Sequence, residues 1–402
     1  MKRRWWIVFA AIDFVGWRLM AIARWLGIRG GRQPEAGRPV RRMLLVQLDH
    51  LGDAVLSTGM IGELARRYPQ ARIEVLAAPW NAEIFAALPR ISHVHICRCN
   101  RFARRGRLGW PLAIFYWGWR LRSRRFDLGV DIRGDFPFTL LLWLAGIGRR
   151  VGWAAGGGGF LLTDSAEYRP DRPQAAARAC LLDAIAGLPE GTGPVPLPRF
   201  EPPVSARDWA ARQFEGWTGK SLMVAHISAG TQAKRWPVGY WQELFGRLIV
   251  EFEDVQIVMV GSQADRELAR MILDDRAWPR ISNWTGTLSI CRLAAVIERA
   301  GCFVGADSGP AHLAAAVGTP AVVLFSGTND AGVWCPAGDV AVLQQPVACA
   351  PCYHTACPLA DHPCMRGIEP RRVAAAIAKK LASGRQRAVE QRSHCALPGL
   401  AA

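Results

Sequence analysis

The sequence predicts an α/β protein built from two doubly wound halves. Three observations carry that prediction. Short apolar runs of strand length alternate with helical stretches, and glycine-containing loops follow several of those runs. A Pro/Gly-rich segment at 188–206, LPEGTGPVPLPRFEPPVSA, then separates two stretches with the same pattern. Strands that are continuously apolar belong to a parallel sheet covered by helices on both faces.

The elements follow in order. RMLLVQL at 42–48 is the first strand, and Asp49, His50, Leu51 and Gly52 turn the chain. A helix is expected from Asp53 to Tyr68, stopped by Pro69, and further strands at 73–77 and 126–132. Beyond the linker, strands are expected at 222–227, 255–260, 302–304 and 321–325, with helices at 237–252 and 266–273. The expected organisation is an amphipathic or membrane-associated segment at 1–34, α/β domains at 35–200 and 201–385 around a cleft, and a tail at 386–402.

Composition narrows the functional class. The chain has 402 residues, 50% hydrophobic and 21% charged, which excludes a mostly disordered protein. Lys and Arg number 50 against 33 Asp and Glu, a net charge of +17 that implies an anionic partner: nucleic acid, anionic lipid or a phosphorylated substrate. The 11 cysteines are odd in number, and a chain this long needs no disulfide scaffold, so the catalytic body reads as cytoplasmic.

Two segments bear on membranes. In residues 1–30, Lys2, Arg3 and Arg4 precede an apolar stretch that Asp13, Arg18 and Arg24 interrupt. The interruptions weigh against a bilayer span, and Trp5, Trp6, Trp17 and Trp25 suit a membrane interface. A peripheral anchor is favoured over a helix packed on the body or a true span. At 101–125, Arg101, Arg104, Arg105 and Arg107 precede an apolar, aromatic centre, and Arg120, Arg122, Arg124 and Arg125 follow it. This suits a lipid headgroup region, a nucleic-acid surface or a solvated helix.

Three loops look chemical. In LDHLGDAVLST at 48–58, Gly52 admits a ligand close to the backbone, and Asp53 reads equally as a base for a hydroxyl acceptor or as a helix N-cap. In HISAGTQAKRWP at 226–237, small residues and Thr231 leave room for a diphosphate that Lys234 neutralises, although the Walker spacing is absent. In GADSGPAHLA at 305–314, Ser308 and Gly309 open a helix whose N–H groups suit an anion. Asp307 there can hold sugar hydroxyls, and His312 can orient a phosphate or fix the loop.

Taken in order, VQLDHLGDAVLSTG, HISAGTQAKRWP and VGADSGPAHLAAAVGTPAVVLF resemble the bacterial heptosyltransferase family of lipopolysaccharide core biosynthesis, from about Arg42 to Leu381. The resemblance implies a GT-B fold and an inverting transfer from a nucleotide sugar, with ADP-heptose as donor and no further cofactor. It implies Asp53 as the catalytic carboxylate, Lys234 at the donor phosphates, Asp307 at the donor sugar and Asp265 near the nucleoside. It also implies an anionic glycolipid or oligosaccharide acceptor, work at the cytoplasmic face of the inner membrane, and no nucleic-acid partner. A same-fold transferase acting on protein or another glycan is the alternative. A basic, non-enzymatic membrane or RNA-binding protein is a remote one.

Cys349, Cys352, Cys357 and Cys364 form one cluster, with His354 and His362 between them. The spacing permits structural thiols, disulfides or a metal, and no catalytic task is assigned to it.

Overall fold

A computed structural model describes residues 13–19, 21–22, 39–98, 109–217, 221–274 and 276–395, the last helix as backbone only from residue 383. Trp5, Trp6 and Trp25 lie outside the described residues, as do Arg101, Arg104, Arg105, Arg107 and the end of the tail. The chain divides into two compact units, Met1–Pro198 and Arg199–Ala402.

The first unit holds a six-stranded parallel sheet in the order β3-β2-β1-β4-β5-β6. Its strands are β1 (Arg42–Gln47), β2 (Arg72–Ala77), β3 (Ile91–Ile96), β4 (Leu128–Asp131), β5 (Arg149–Trp153) and β6 (Asp164–Ala166). The helices between them are α2 (Leu51–Arg67), α3 (Ala82–Ala86), α4 (Trp110–Arg122), α5 (Phe136–Leu144) and α6 (Gln174–Ala186), preceded by α1 at residues 13–19. Successive side chains of a strand point to opposite faces, and β1 shows both faces covered. Met43 and Leu45 pack with Met60 and Leu64 of α2 and Leu181 of α6. Leu44 and Val46 pack with Ile114 of α4 and Phe138 of α5. Each fully buried side chain of this kind contributes about 1.5–3 kcal/mol over an exposed one.

The second unit repeats the plan, with sheet order β12-β11-β10-β7-β8-β9. Its strands are β7 (Ser221–His226), β8 (Val255–Val260), β9 (Ile281–Asn283), β10 (Cys302–Ala306), β11 (Ala321–Phe325) and β12 (Val340–Gln344). Its helices are α7 (Val204–Gln213), α8 (Val238–Glu251), α9 (Arg266–Leu273), α10 (Ile290–Glu298), α11 (Gly309–Ala316), α12 (Ala331–Trp334), α13 (Pro363–Arg366) and α14 (Pro370–Cys395). The two sheets are therefore the same doubly wound order. In each, the first strand and the fourth are neighbours from which the chain winds in opposite directions. Ligands of open α/β sheets bind beyond the carboxyl ends of such a strand pair.

No helix of the described residues is long and apolar enough to cross a membrane. Asp13 instead accepts hydrogen bonds from the backbone N–H groups of Gly158 and Gly159, at 2.7 and 3.0 Å. Gly16 presses on Phe160 so closely that a Cβ there would sit 2.2 Å from the ring. The α1 segment is thus docked on the turn that follows β5. Its outward residues Phe14, Val15, Trp17 and Leu19 remain exposed.

Candidate functional site

In the first unit, the site forms at the carboxyl ends of β1 and β4. Asp53 is the third residue of α2, whose N-cap is His50, so the N-cap reading of Asp53 is corrected. The helix begins two residues earlier than the sequence suggested, and the Asp53 side chain turns to Arg178 of α6 instead of to its own helix terminus. The guanidinium donates to Asp53 Oδ1 at 3.1 Å and to Ser57 Oγ at 3.2 Å, and also to both the backbone and side-chain oxygens of Gln174. Arg178 and Asp53 are both buried.

A second carboxylate lies beside this pair. Asp49 follows β1 and is buried, held by Gln47 and by Arg133, whose Nη1 donates to Oδ2 at 3.2 Å. Burial, and then the like charge of Asp53, raise its pKa to about 7 against the opposing pull of Arg133 and Arg178. Asp131, at the end of β4, accepts from the N–H groups of Arg133 and Gly134 and from Thr139, and burial raises it to about 7 as well. Gly134 has φ of +82°, which a side chain would strain, so Asp131 fixes the turn that delivers Arg133.

Arg133 and Arg178 were missed by sequence reasoning. Each lies far along the chain from the LGD loop, and no local pattern marks either one. Replacing Arg178 by Gln should strand the buried Asp53 charge. The expected loss is about 3 kcal/mol of stability and at least tenfold in turnover, with Lys recovering stability better than turnover. Thermal melts and steady-state kinetics check this. Wild-type values in both would remove the pair from the site.

In the second unit, the site forms at the ends of β7, β8, β10 and β11. Lys234 lies on a short 3₁₀ turn, and its Nζ donates to Asp307 Oδ2 at 2.6 Å. Asn329, in the loop after β11, donates to the same oxygen at 2.9 Å. The Thr231 hydroxyl is buried and, among the described residues, without a hydrogen-bond partner. Ser308 is the N-cap residue of α11 and donates to Ala306 O at 3.0 Å. Gly309 is the first residue of that helix, where a backbone N–H has no intrahelical acceptor. His226, beside Ser308 at 3.4 Å, is pushed down to about 4 by burial and is a neutral imidazole at neutral pH. His312 is buried inside α11.

Asp265 is engaged within the protein. Its carboxylate accepts from Ser228 Oγ at 2.5 Å and from Ser262 N and Oγ at 2.8 and 2.6 Å, closing the turn before α9 and holding the loop after β7. Burial would raise its pKa, but these hydrogen bonds keep it below the ordinary carboxylate value.

The cysteine loop joins two of these segments. Ala233 N donates to Thr355 O, Cys357 N to Gln232 Oε1, and His362 Nε2 lies 3.0 Å from Ala233 O. On the other side, Cys352 N donates to Gly327 O and Tyr353 N to Thr328 O. Cys349, Cys352, Cys357 and Cys364 are free thiols, from exposed Cys349 to buried Cys364. Among the described residues, no three His, Cys, Asp or Glu side chains are arranged to hold a metal ion.

Comparison with known proteins gives a consistent picture. Residues 115–362 match the model of glycosyltransferase family 9 (heptosyltransferase). The chain is 27% identical over 308 residues to lipopolysaccharide heptosyltransferase 2 of Salmonella typhimurium, covering 71% of this chain and 82% of that one. It is 29% identical over 338 residues to lipopolysaccharide heptosyltransferase 1 of Pseudomonas aeruginosa, covering 79% and 87%. Its fold is similar to the E. coli ADP-heptose lps heptosyltransferase II structure, with a TM-score of 0.70 at 23% identity, covering 85% of this chain and 99% of that one. That likeness assigns the GT-B fold.

Proposed function

From the premise that the chain belongs to glycosyltransferase family 9, the heptosyltransferase family, we propose how its own residues carry out sugar transfer. The protein is a glycosyltransferase of lipopolysaccharide biosynthesis. The donor is ADP-heptose and the acceptor a saccharide of the lipopolysaccharide core. The acceptor hydroxyl attacks the anomeric carbon from the face opposite the diphosphate, so the new C–O bond forms as the old one breaks and the configuration inverts. Asp53 takes the hydroxyl proton, with Arg178 fixing its carboxylate. Lys234, the Thr231 hydroxyl and the first N–H of α11 at Ser308 and Gly309 carry the charge that accumulates on the departing ADP. Asp307 holds donor sugar hydroxyls, and His312 supports the helix that bears the phosphate contacts. Asp265 acts on the nucleoside side by holding the loop after β7.

The observation that carries this reading is the placement of Asp53 and of Lys234 with Asp307. Each lies beyond the carboxyl ends of the central strand pair of its own sheet. The +17 charge and the exposed apolar residues of α1 support peripheral work at the cytoplasmic face of the inner membrane.

The test is incubation with ADP-heptose and core-truncated lipopolysaccharide. ADP release with heptose appearing in the acceptor is the expected result. No ADP release across a panel of nucleotide sugars and acceptors would overturn the reading.

A further inference from the structure

The first unit carries a charged pocket that the reaction does not use. It encloses about 660 Å³ between edge strand β3, with His93 and His95, and the end of α4, with Arg120, Arg122, Arg124 and Arg125. Because α4 leads directly into β4, its last turn lies beside the amino ends of the strands. Asp49 and Asp53 belong to the opposite end of the sheet.

The carboxylate beside the pocket is already engaged. Glu74 is buried under it and bonds to Arg42 at 2.6 Å and His95 at 2.7 Å, with Arg124 at 3.8 Å. Burial alone would raise the Glu74 carboxyl, but these partners hold it below its ordinary value. Burial also pushes His95 down, outweighing the opposite pull of Glu74. Among the described residues, Arg120, Arg122 and Arg125 form no ion pair. The C-terminus of α4 accommodates some of this positive charge. Three clustered, solvent-exposed guanidiniums still leave a strong attraction for an anion with several oxygens.

The rest of α4 identifies where that anion resides. Its inward face packs through Ala113, Ile114, Gly118 and Leu121. Its outward face is also apolar: Leu112 is 74% exposed, Phe115 57%, Tyr116 49% and Trp119 75%. The spacing of three, one and three residues puts them on one stripe. Arginines bracket this stripe in the sequence, four before it and four after. Helix α4 packs on α5, which packs on the turn at 159–161 where α1 docks with its own exposed Phe14 and Trp17. A helix with an uncovered apolar and aromatic stripe ending in a cluster of cations has the pattern of an interfacial helix on an anionic bilayer.

We propose that the pocket seats the phosphate headgroup of an anionic membrane lipid, while Leu112, Phe115 and Trp119 enter the acyl boundary beside it. This rests on the reading of the enzyme as a peripheral membrane protein and narrows it to one site. Arg122 and Arg125 hold the headgroup oxygens, and Trp119 sits at the interface.

The test is co-sedimentation of the full chain with vesicles of phosphatidylcholine alone and of phosphatidylcholine with about one third phosphatidylglycerol. Wild-type protein should bind the second and not the first. An arginine near an anionic surface is worth about fivefold in binding, so Arg122→Ala with Arg125→Ala should weaken it roughly thirty-fold. Trp119→Ser, which removes no charge, should also weaken it. Both variants should melt as wild type does and transfer sugar to a water-soluble acceptor at the wild-type rate. Undiminished vesicle binding by the double arginine variant would overturn the proposal and leave the peripheral reading standing. Wild-type protein that ignores both vesicles would overturn both. Inorganic phosphate supplies the remaining arm. Phosphate binding lost in the double variant, with vesicle binding unchanged, would assign the pocket to a soluble phosphate and overturn the lipid.

Discussion

Asp53→Asn is expected to lower turnover by roughly 10²–10⁴-fold, the usual worth of a positioned proton acceptor. An amide cannot take the proton at neutral pH, yet it nearly keeps the shape of the carboxylate. The structure adds a second consequence. Asp53 faces Arg178 in a buried pair, so the substitution removes a charge partner as well as a base. Asn Oδ1 can still accept from the guanidinium, and Arg178 retains Ser57 and Gln174. The fold should therefore persist with a modestly lower melting temperature, where an N-cap role would have left Asn as good as Asp. Steady-state turnover at saturating donor, paired with a thermal melt, checks this. Near-normal turnover in a folded variant would reject Asp53 as the base and move attention to Asp49.

Lys234→Ala is expected to raise the donor KM, lower kcat and cut kcat/KM by roughly 10²–10³-fold, as removal of a preorganised charge from a leaving group does. Two effects act in the same direction. The variant loses a cation, and it leaves the buried carboxylate of Asp307 with Asn329 as its remaining partner among the contacts described above. That carboxylate would then repel the donor diphosphate. ADP binding measured by calorimetry should weaken along with turnover. Donor affinity and turnover both at wild-type levels would remove Lys234 from the phosphate site.

The part of the fold legible in the sequence was the part buried on both faces. The runs expected at 42–48, 73–77, 126–132, 222–227, 255–260, 302–304 and 321–325 correspond to inner strands, where most positions are apolar because helices cover each side. The four edge strands β3, β6, β9 and β12 were not expected, although VAVLQ of β12 is as apolar as an inner strand. ISHVHI carries two histidines and DSA no large apolar residue, because an edge strand is short or half solvated. β5 is an inner strand that was also missed, since RRVGW begins with two arginines. Arg150 is nonetheless buried, its guanidinium donating to the backbone oxygens of Ile147, Gly148 and Leu161.

The site divides along similar lines. Thr231, Lys234, Asp307 and Ser308 stand in segments directly after strands, and Asp53 in the first turn of the helix after β1, where glycines mark close approach. Arg133, Arg178 and Asn329 reach the same loops from other elements, and only folding brings them there. The role proposed for Arg178 therefore comes from geometry, not from motif.

The cysteine loop carries a consequence for motion. Residues 352–362 bond to Gln232 and Ala233 on one side and to Gly327 and Thr328 on the other. Neither strand-end loop can lift away without breaking bonds that also restrain its neighbour, so the two should open as one cooperative unit. In native-state hydrogen exchange, the amides of Ala233, Cys352 and Tyr353 would share one opening free energy, and donor binding would slow all of them together. The loop thus acts as a common latch, making order at Lys234 and order at Asn329 a single event.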